Sequence, residues 1–418
     1  MRRIPLLKLL SISSIVACSP GPELDECEAL ALDACDVHEE ACQEHYSAVI
    51  RCLREDDQPT PKLEVLSADE YRERYAGEGG PPTAATAMDR AFALLGLAAD
   101  QPAGEIQVPS ARYDFATRSV VVVDPGDLRS QLRAISQAHA DAAVDFQALD
   151  AEITSDDQRS AALALFFGET IFYGDAAYYK VAETREDFRG RLDANLYYGN
   201  EMADALYVAR LPEFDHLAVS LAFAIGFGSD AAISAWLTDG PEAIRAGYDP
   251  LVISSGQIVS HALGAPPTLA EVDPPALPEG LGLVATGRLG PWLLHTLQTR
   301  AAELAEETPL SYDFEQIGLA VANWRGDGLF VVEDAEADAV GLVLTVALAE
   351  DGAWTPADGD WLVAEDGRTA SLVRAETSPI KEALTAAVMA GTRSHGSVQR
   401  QRSTALAAAV VHGRLSAK

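Results

Sequence analysis

Four of the chain's five cysteines, Cys27, Cys35, Cys42 and Cys52, fall between Leu24 and Arg54, and no other feature constrains the fold so tightly. In a chain that its amino terminus marks as exported, an even count implies two disulfides, and four cysteines allow three pairings. The stretch is rich in Glu, Ala and Leu, so two short helices are expected. Asp36-Val37-His38-Glu39 sets an acidic cap three residues before a glutamate, and the second helix is expected to start there. Folding back at Asp36 brings Cys35 near Cys42 and roughly opposes Cys27 to Cys52. So small a hairpin cannot bury enough apolar surface to hold alone, and the cross-links are expected to stabilise it. His38-Glu39 resembles the start of His-Glu-x-x-His, but Cys42 stands where the second histidine belongs. Export and the wide cysteine spacing also disfavour a zinc knuckle.

Export is read from Met1-Arg2-Arg3, a short positive region, followed by Leu6 to Ala17, apolar apart from Lys8 and three serines. About a dozen residues are too few to span a bilayer, so residues 1–17 read as a signal peptide. The end, Ile15-Val16-Ala17-Cys18, matches a bacterial lipobox, which makes Cys18 the expected lipidation site. Ser19 follows rather than Asp, which favours the outer membrane, with attachment through the N-terminal lipid. Loss of Arg2, Arg3 and Lys8 takes the formal charge from −33 to −36. Such a balance repels nucleic acid and anionic headgroups, so a polyanionic partner is not expected.

The hairpin is assigned residues 18–55, and Asp56-Asp57-Gln58-Pro59-Thr60-Pro61 reads as a linker, making the hairpin a spacer or docking piece between lipid and body. The main body is assigned residues 62–350, with a strand and helix extension over 351–418. Leu63–Leu66 is a short strand, and Ser67-Ala68-Asp69-Glu70 is a capping box that opens a helix. Helices are expected over Ala84–Leu97, Gln158–Tyr173, His216–Leu237, Ser378–Ala390 and Arg402–Val411, with strands at Leu329–Val332 and Ala339–Ala349. A strand from Tyr113 to Val123 leads into a helix from Gln131 to Phe146, and a second helix ends near Phe166-Phe167-Gly168-Glu169. The expected class is α+β, mostly α.

The order of these landmarks carries a resemblance. Val65-Leu66-Ser67, Leu95-Gly96-Leu97, Tyr113-Asp114 with Thr117 and the valine run, Ser254-Ser255-Gly256-Gln257-Ile258 and Ala322-Asn323-Trp324-Arg325-Gly326-Asp327 occur in one sequence. From Leu63 to Ala349 the chain resembles a family of secreted or lipid-anchored bacterial neutral zinc metallopeptidases, which implies a gluzincin-like body. In that family the first helix carries His-Glu-x-x-His, whose histidines reach one zinc from a single helix face while the glutamate takes a proton from zinc-bound water. The second helix carries a Glu-Gly that supplies the third ligand. In this chain the resemblance sets Ile135 at the first ligand, Ser136 at the base, His139 at the second ligand and Phe167 at the third.

That pattern predicts a degenerate site with no catalytic residue, no metal and no cofactor. Glu169 lies about 200° around the helix from Phe167 and is expected to point elsewhere. Asp141 and Asp145 read as acids on a solvated face, and His139 as a leftover polar residue in a cleft filled by Ile135 and aromatics. Gly226-Phe227-Gly228 reads as close helix packing or a helix end. Ser254-Ser255 beside His261 reads as capping, Trp324 and Asp327 as structural, and Tyr178-Tyr179 and Tyr197-Tyr198 as buried or half-buried aromatics. The chain is expected to be an outer-membrane lipoprotein with a non-catalytic zinc-peptidase-like fold that binds an envelope protein or peptide. One alternative is a metal-dependent peptidase rebuilt around His139 and Glu169, with zinc as its cofactor. The other is a structural envelope component with a closed cleft.

Overall fold

The structure is a computed structural model and describes residues 27, 35–75, 85–97, 108–181, 216–265, 267–304, 318, 321–349, 361–364, 367–393 and 398–400. The expected helix over Arg402–Val411, Tyr197-Tyr198 and the lipobox lie outside them. Helix accounts for 52% and strand for 21%, so the class is mixed with helix in excess.

Helix α1 (Glu40–Arg54) begins later than the sequence suggests. Asp36 accepts from the amide of His38 and shapes a turn instead of capping the helix, whose cap residue Glu39 makes no side-chain bond. The disulfides are Cys35–Cys42 and Cys27–Cys52. Closing loops of 7 and 25 residues, they limit the unfolded chain by about 2 and about 3–4 kcal/mol.

Strand β1 (Lys62–Leu66) leads to α2 (Ala68–Tyr75), with the expected Ser67–Glu70 box in place, and then to α3 (Ala87–Leu94), capped by Thr86. The expected single strand from Tyr113 to Val123 is a hairpin of β2 (Ala111–Asp114) and β3 (Ser119–Val123). Asp114 causes the break: its carboxylate accepts from the amides of Ala116 and Thr117, folding the turn on which Arg118 takes a left-handed φ of 49°. Strand β3 lies between β1, which it pairs in parallel, and β2.

Helices α4 (Leu128–Val144), α5 (Phe146–Glu152) and α6 (Asp156–Val181) follow. On α6, buried Asp175 takes paired bonds of 2.7–2.9 Å from Arg129 and Arg133 of α4 and locks the two long helices together. Helix α7 (His216–Phe223) runs through a π turn, Ala224–Gly228, into α8 (Ser229–Asp239). Ala218–Asp239 is long and apolar enough to cross a membrane, but 72% of its most apolar stretch is buried, as in a core helix. Gly226-Phe227-Gly228 does mark close packing: a Cβ on Gly168 of α6 would stand 2.1 Å from the carbonyl carbon of Gly228. Gly168→Ala is therefore expected to cost about 1–3 kcal/mol in chemical denaturation, because backbone and not a movable side chain must give way.

After α9 (Pro241–Arg245) and α10 (Ser255–Val259), strand β4 (Leu281–Gly287) and α11 (Gly290–Leu304) open the second half. Strands β5 (Trp324–Asp334), β6 (Ala339–Leu348), β7 (Trp361–Ala364) and β8 (Thr369–Ala375), helix α12 (Ser378–Arg393) and β9 (Val398–Arg400) complete it. The sheet order is β4-β5-β6-β8-β7-β9. Alternation along β5 and β6 sends Leu329, Val331, Val340, Leu342 and Leu344 into the main core and Phe330, Val332 and Val343 towards α12.

Candidate functional site

His139 on α4 and Glu169 on α6 lie where those helices meet α1. Tyr46, Val49, Ile50 and Leu53 form an apolar stripe at helical spacing, and all four belong to the main core. The hairpin helix is thus part of the body's interior, not a spacer. Ser47 and Arg54, two turns apart, share a face of α1 and are both buried.

Each of these polar residues meets one of the pair His139 and Glu169. The Oγ of Ser47 lies 2.7 Å from Nε2 of His139, which is 1% exposed. Burial pushes this imidazole down to about 4, which keeps it neutral at pH 7. Arg54 donates to Oε1 of Glu169 at 2.5 Å, and the Tyr248 hydroxyl donates to Oε2 at 2.6 Å. Burial, then the charge of Glu169, pushes the Tyr248 hydroxyl well up, so it stays a donor. Arg54 also pairs with Asp56 at 2.7 Å, stands 5.2 Å over the Tyr173 ring, and has its carbonyl bound by Arg245.

Glu169 and His139 are met at points two turns apart on α1. Both face α1, and Glu169 is 2% exposed. The space is closed by a helix and not, as the sequence suggested, by Ile135 and aromatics alone. Ile135 is fully buried in the main core, Phe146, Phe166, Ala140 and Ala162 form a small cluster beside it, and half-buried Phe167 packs against both. Asp141, expected on a solvated face, is 1% exposed: it accepts from the Tyr113 hydroxyl at 2.7 Å and from the amide of Phe146 at 2.9 Å. Burial and Asp141 together raise the Tyr113 hydroxyl. Asp145 does lie outside, half-exposed, capping α5 and pairing with Arg118.

These residues do not fit a zinc ion. A catalytic site needs three protein ligands and an open position. Here Ile135 and Phe167 offer hydrocarbon, both oxygens of Glu169 are engaged, and Nε2 of His139 faces Ser47. The Nδ1 of His139 and the hydroxyl of Ser136 are buried without a hydrogen-bond partner, leaving a neutral imidazole and an alcohol with no third donor. Among the described residues no group of three or more His, Cys, Asp or Glu could hold a metal.

The segments Ser254–Ile258 and Ala322–Asp327 meet at a second place, the start of α11. Asp327 accepts from the amides of Leu289 and Gly290 at 2.7 and 3.0 Å and from Nε1 of Trp324 at 3.0 Å. Asp157 accepts from the amide and hydroxyl of Ser255 at 2.8 and 2.7 Å, with Nε of Arg288 at 3.5 Å. Gly290 has φ +73°, and a Cβ there would stand 1.8 Å from Asp157, so only glycine passes. Ser254 caps α10, and His261 pairs with Asp230 at 2.7 Å, so it does not serve Ser255, whose hydroxyl donates to Asp157. Tyr178 is half-buried against the core.

No protein-family model, curated protein or solved structure matches the chain.

Proposed function

We propose that this chain is an exported, lipid-anchored protein with a non-catalytic body, whose zinc-peptidase-like cleft is closed by its own N-terminal hairpin. One observation carries the reading: His139 and Glu169, the pair around which a metal site could have been rebuilt, are each bonded to a buried side chain of α1. A peptidase rebuilt around this pair would have to part them from Ser47 and Arg54 and draw α1 out of the core. Attachment is through a lipid on Cys18, at the outer membrane. The cleft leaves no room for an envelope protein or peptide, so a partner meets the outer surface. An open concavity of about 850 Å³ supports this, floored by Thr345, Ala347, Thr369 and Ser371 and walled by the segment 268–276 and the end of α12.

Because α1 belongs to the core, the test uses the chain from residue 18, with C18S for solubility. Incubated with excess zinc and desalted, it is expected to retain zinc only at background and to leave unstructured peptides uncut. Near-stoichiometric zinc that disappears in H139A would overturn the non-catalytic reading. Palmitate labelling and membrane fractionation of the natural chain test the anchor. Label and membrane association are both expected to vanish in C18S.

A further inference from the structure

The two disulfides differ in what can reach them. Cys35 is exposed, at the edge of an open cleft of about 240 Å³ between the hairpin turn and the start of α4. Its partner Cys42 is 2% exposed, in the first turn of α1. In the other bridge Cys27 is 5% exposed and Cys52 half-buried against the core. The Tyr46 hydroxyl accepts from the Cys35 amide and donates to the Cys35 carbonyl, both at 3.1 Å. Those bonds hold the Cys35 backbone whether or not its sulfur is bridged.

We propose that Cys35–Cys42 is a thiol-exchange site for small neutral or basic thiols, and that Cys27–Cys52 is a structural bridge that stays closed. In the first step an incoming thiolate attacks Sγ of Cys35, the exposed residue of the pair. A mixed disulfide forms at Cys35, the Cys35–Cys42 bond breaks, and its electron pair leaves on Cys42 as a thiolate. The first turn of a helix favours that negative charge. A second thiolate then attacks the small-molecule sulfur of the mixed disulfide and releases Cys35. Overall two thiols become one disulfide, and the protein bridge becomes two thiols. Exposed bridges are the labile ones, and attack follows access. Asp36 and Asp124 line the cleft with His38, and two carboxylates outweigh one imidazole in either of its charge states, so an anionic thiol is repelled. Opening this bridge leaves α1 seated, because Cys27–Cys52, the apolar stripe and the Arg54–Glu169 pair do not depend on it.

The test exposes the folded chain from residue 18, carrying C18S, to cysteamine without denaturant. Free thiols are trapped with N-ethylmaleimide and the peptides mapped by mass spectrometry. The expected result is, at early times, a cysteamine adduct on Cys35 with maleimide on Cys42 and, at completion, maleimide on both, with an intact Cys27–Cys52 bridge and an unchanged far-UV circular dichroism spectrum throughout. At equal thiolate concentration and low salt, mercaptoacetate is expected to react several-fold more slowly, with the gap closing in high salt. An adduct on Cys42, opening of Cys27–Cys52 first or at the same rate, or no opening until the protein is denatured would overturn the site. Equal rates for the two thiols at low salt would overturn the assignment of thiol class.

Discussion

Arg54→Met is expected to destabilise the folded chain by about 3–5 kcal/mol in guanidinium chloride denaturation. Arg54 and Glu169 are 4% and 2% exposed at their side chains, so the replacement strands a carboxylate where water cannot solvate it. Tyr248 would remain as its only side-chain hydrogen-bond donor among the described residues, and a neutral hydroxyl cannot balance a full charge. Glu169→Gln should cost less, because Arg54 keeps Asp56 as a partner. The double replacement Arg54→Met with Glu169→Leu removes both charges and is expected to recover most of the loss, as buried pairs replaced by apolar groups often do. That non-additivity distinguishes a buried pair joining α1 to α6 from two separate packing defects. A loss under about 1 kcal/mol for Arg54→Met would mean that water reaches Glu169 and that the cleft is open.

Most helices and the long strands were legible because apolar periodicity and capping boxes are local signals. The Ser67–Glu70 box, the helix containing Gln158–Tyr173, and the strands around Leu329–Val332 and Ala339–Ala349 all have counterparts in the structure. What failed was mainly non-local. The stripe Tyr46, Val49, Ile50, Leu53 was readable, but its burial against α4 and α6 depends on partners more than 80 residues away in sequence. A serine and an arginine set into that stripe were the available sign that a polar site awaited them. The hairpin at Asp114 was hidden by a run of strand-forming residues, although an aspartate ahead of Ala116 and Thr117 is itself a turn signal. The angle of about 200° between Phe167 and Glu169 was readable from their spacing, but not that Arg54, 115 residues away in sequence, meets Glu169. A long helix packed on two sides uses faces that far apart, and both candidates are reached by α1.

The stability gap between the natural chain and Asp327→Asn is expected to shrink by about 4 kcal/mol as pH rises from 4 to 8. Burial, and then the neighbouring Asp157, pushes the Asp327 carboxyl up to about 7, while bonds from Leu289, Gly290 and Trp324 pull the other way. An unfolded aspartate titrates near 3.8, so folding takes up a proton between that value and about 7. The stabilisation is complete below the lower limit and lost as pH rises through the upper one. His139 acts in the opposite direction, since its imidazole is pushed down to about 4 and its contribution is lost as pH falls through the acid range. That contribution is common to both chains and cancels in their difference. At pH 4 the Asp327→Asn chain should be the less stable by about 1–3 kcal/mol, because the new side-chain amide presents a donor to a backbone N–H that needs an acceptor. By pH 8 the order should reverse, the natural chain then burying a charge beside Asp157. A gap that does not change with pH would mean that three N–H donors outweigh burial and keep Asp327 ionised throughout, making the joint at α11 a fixed anionic helix cap.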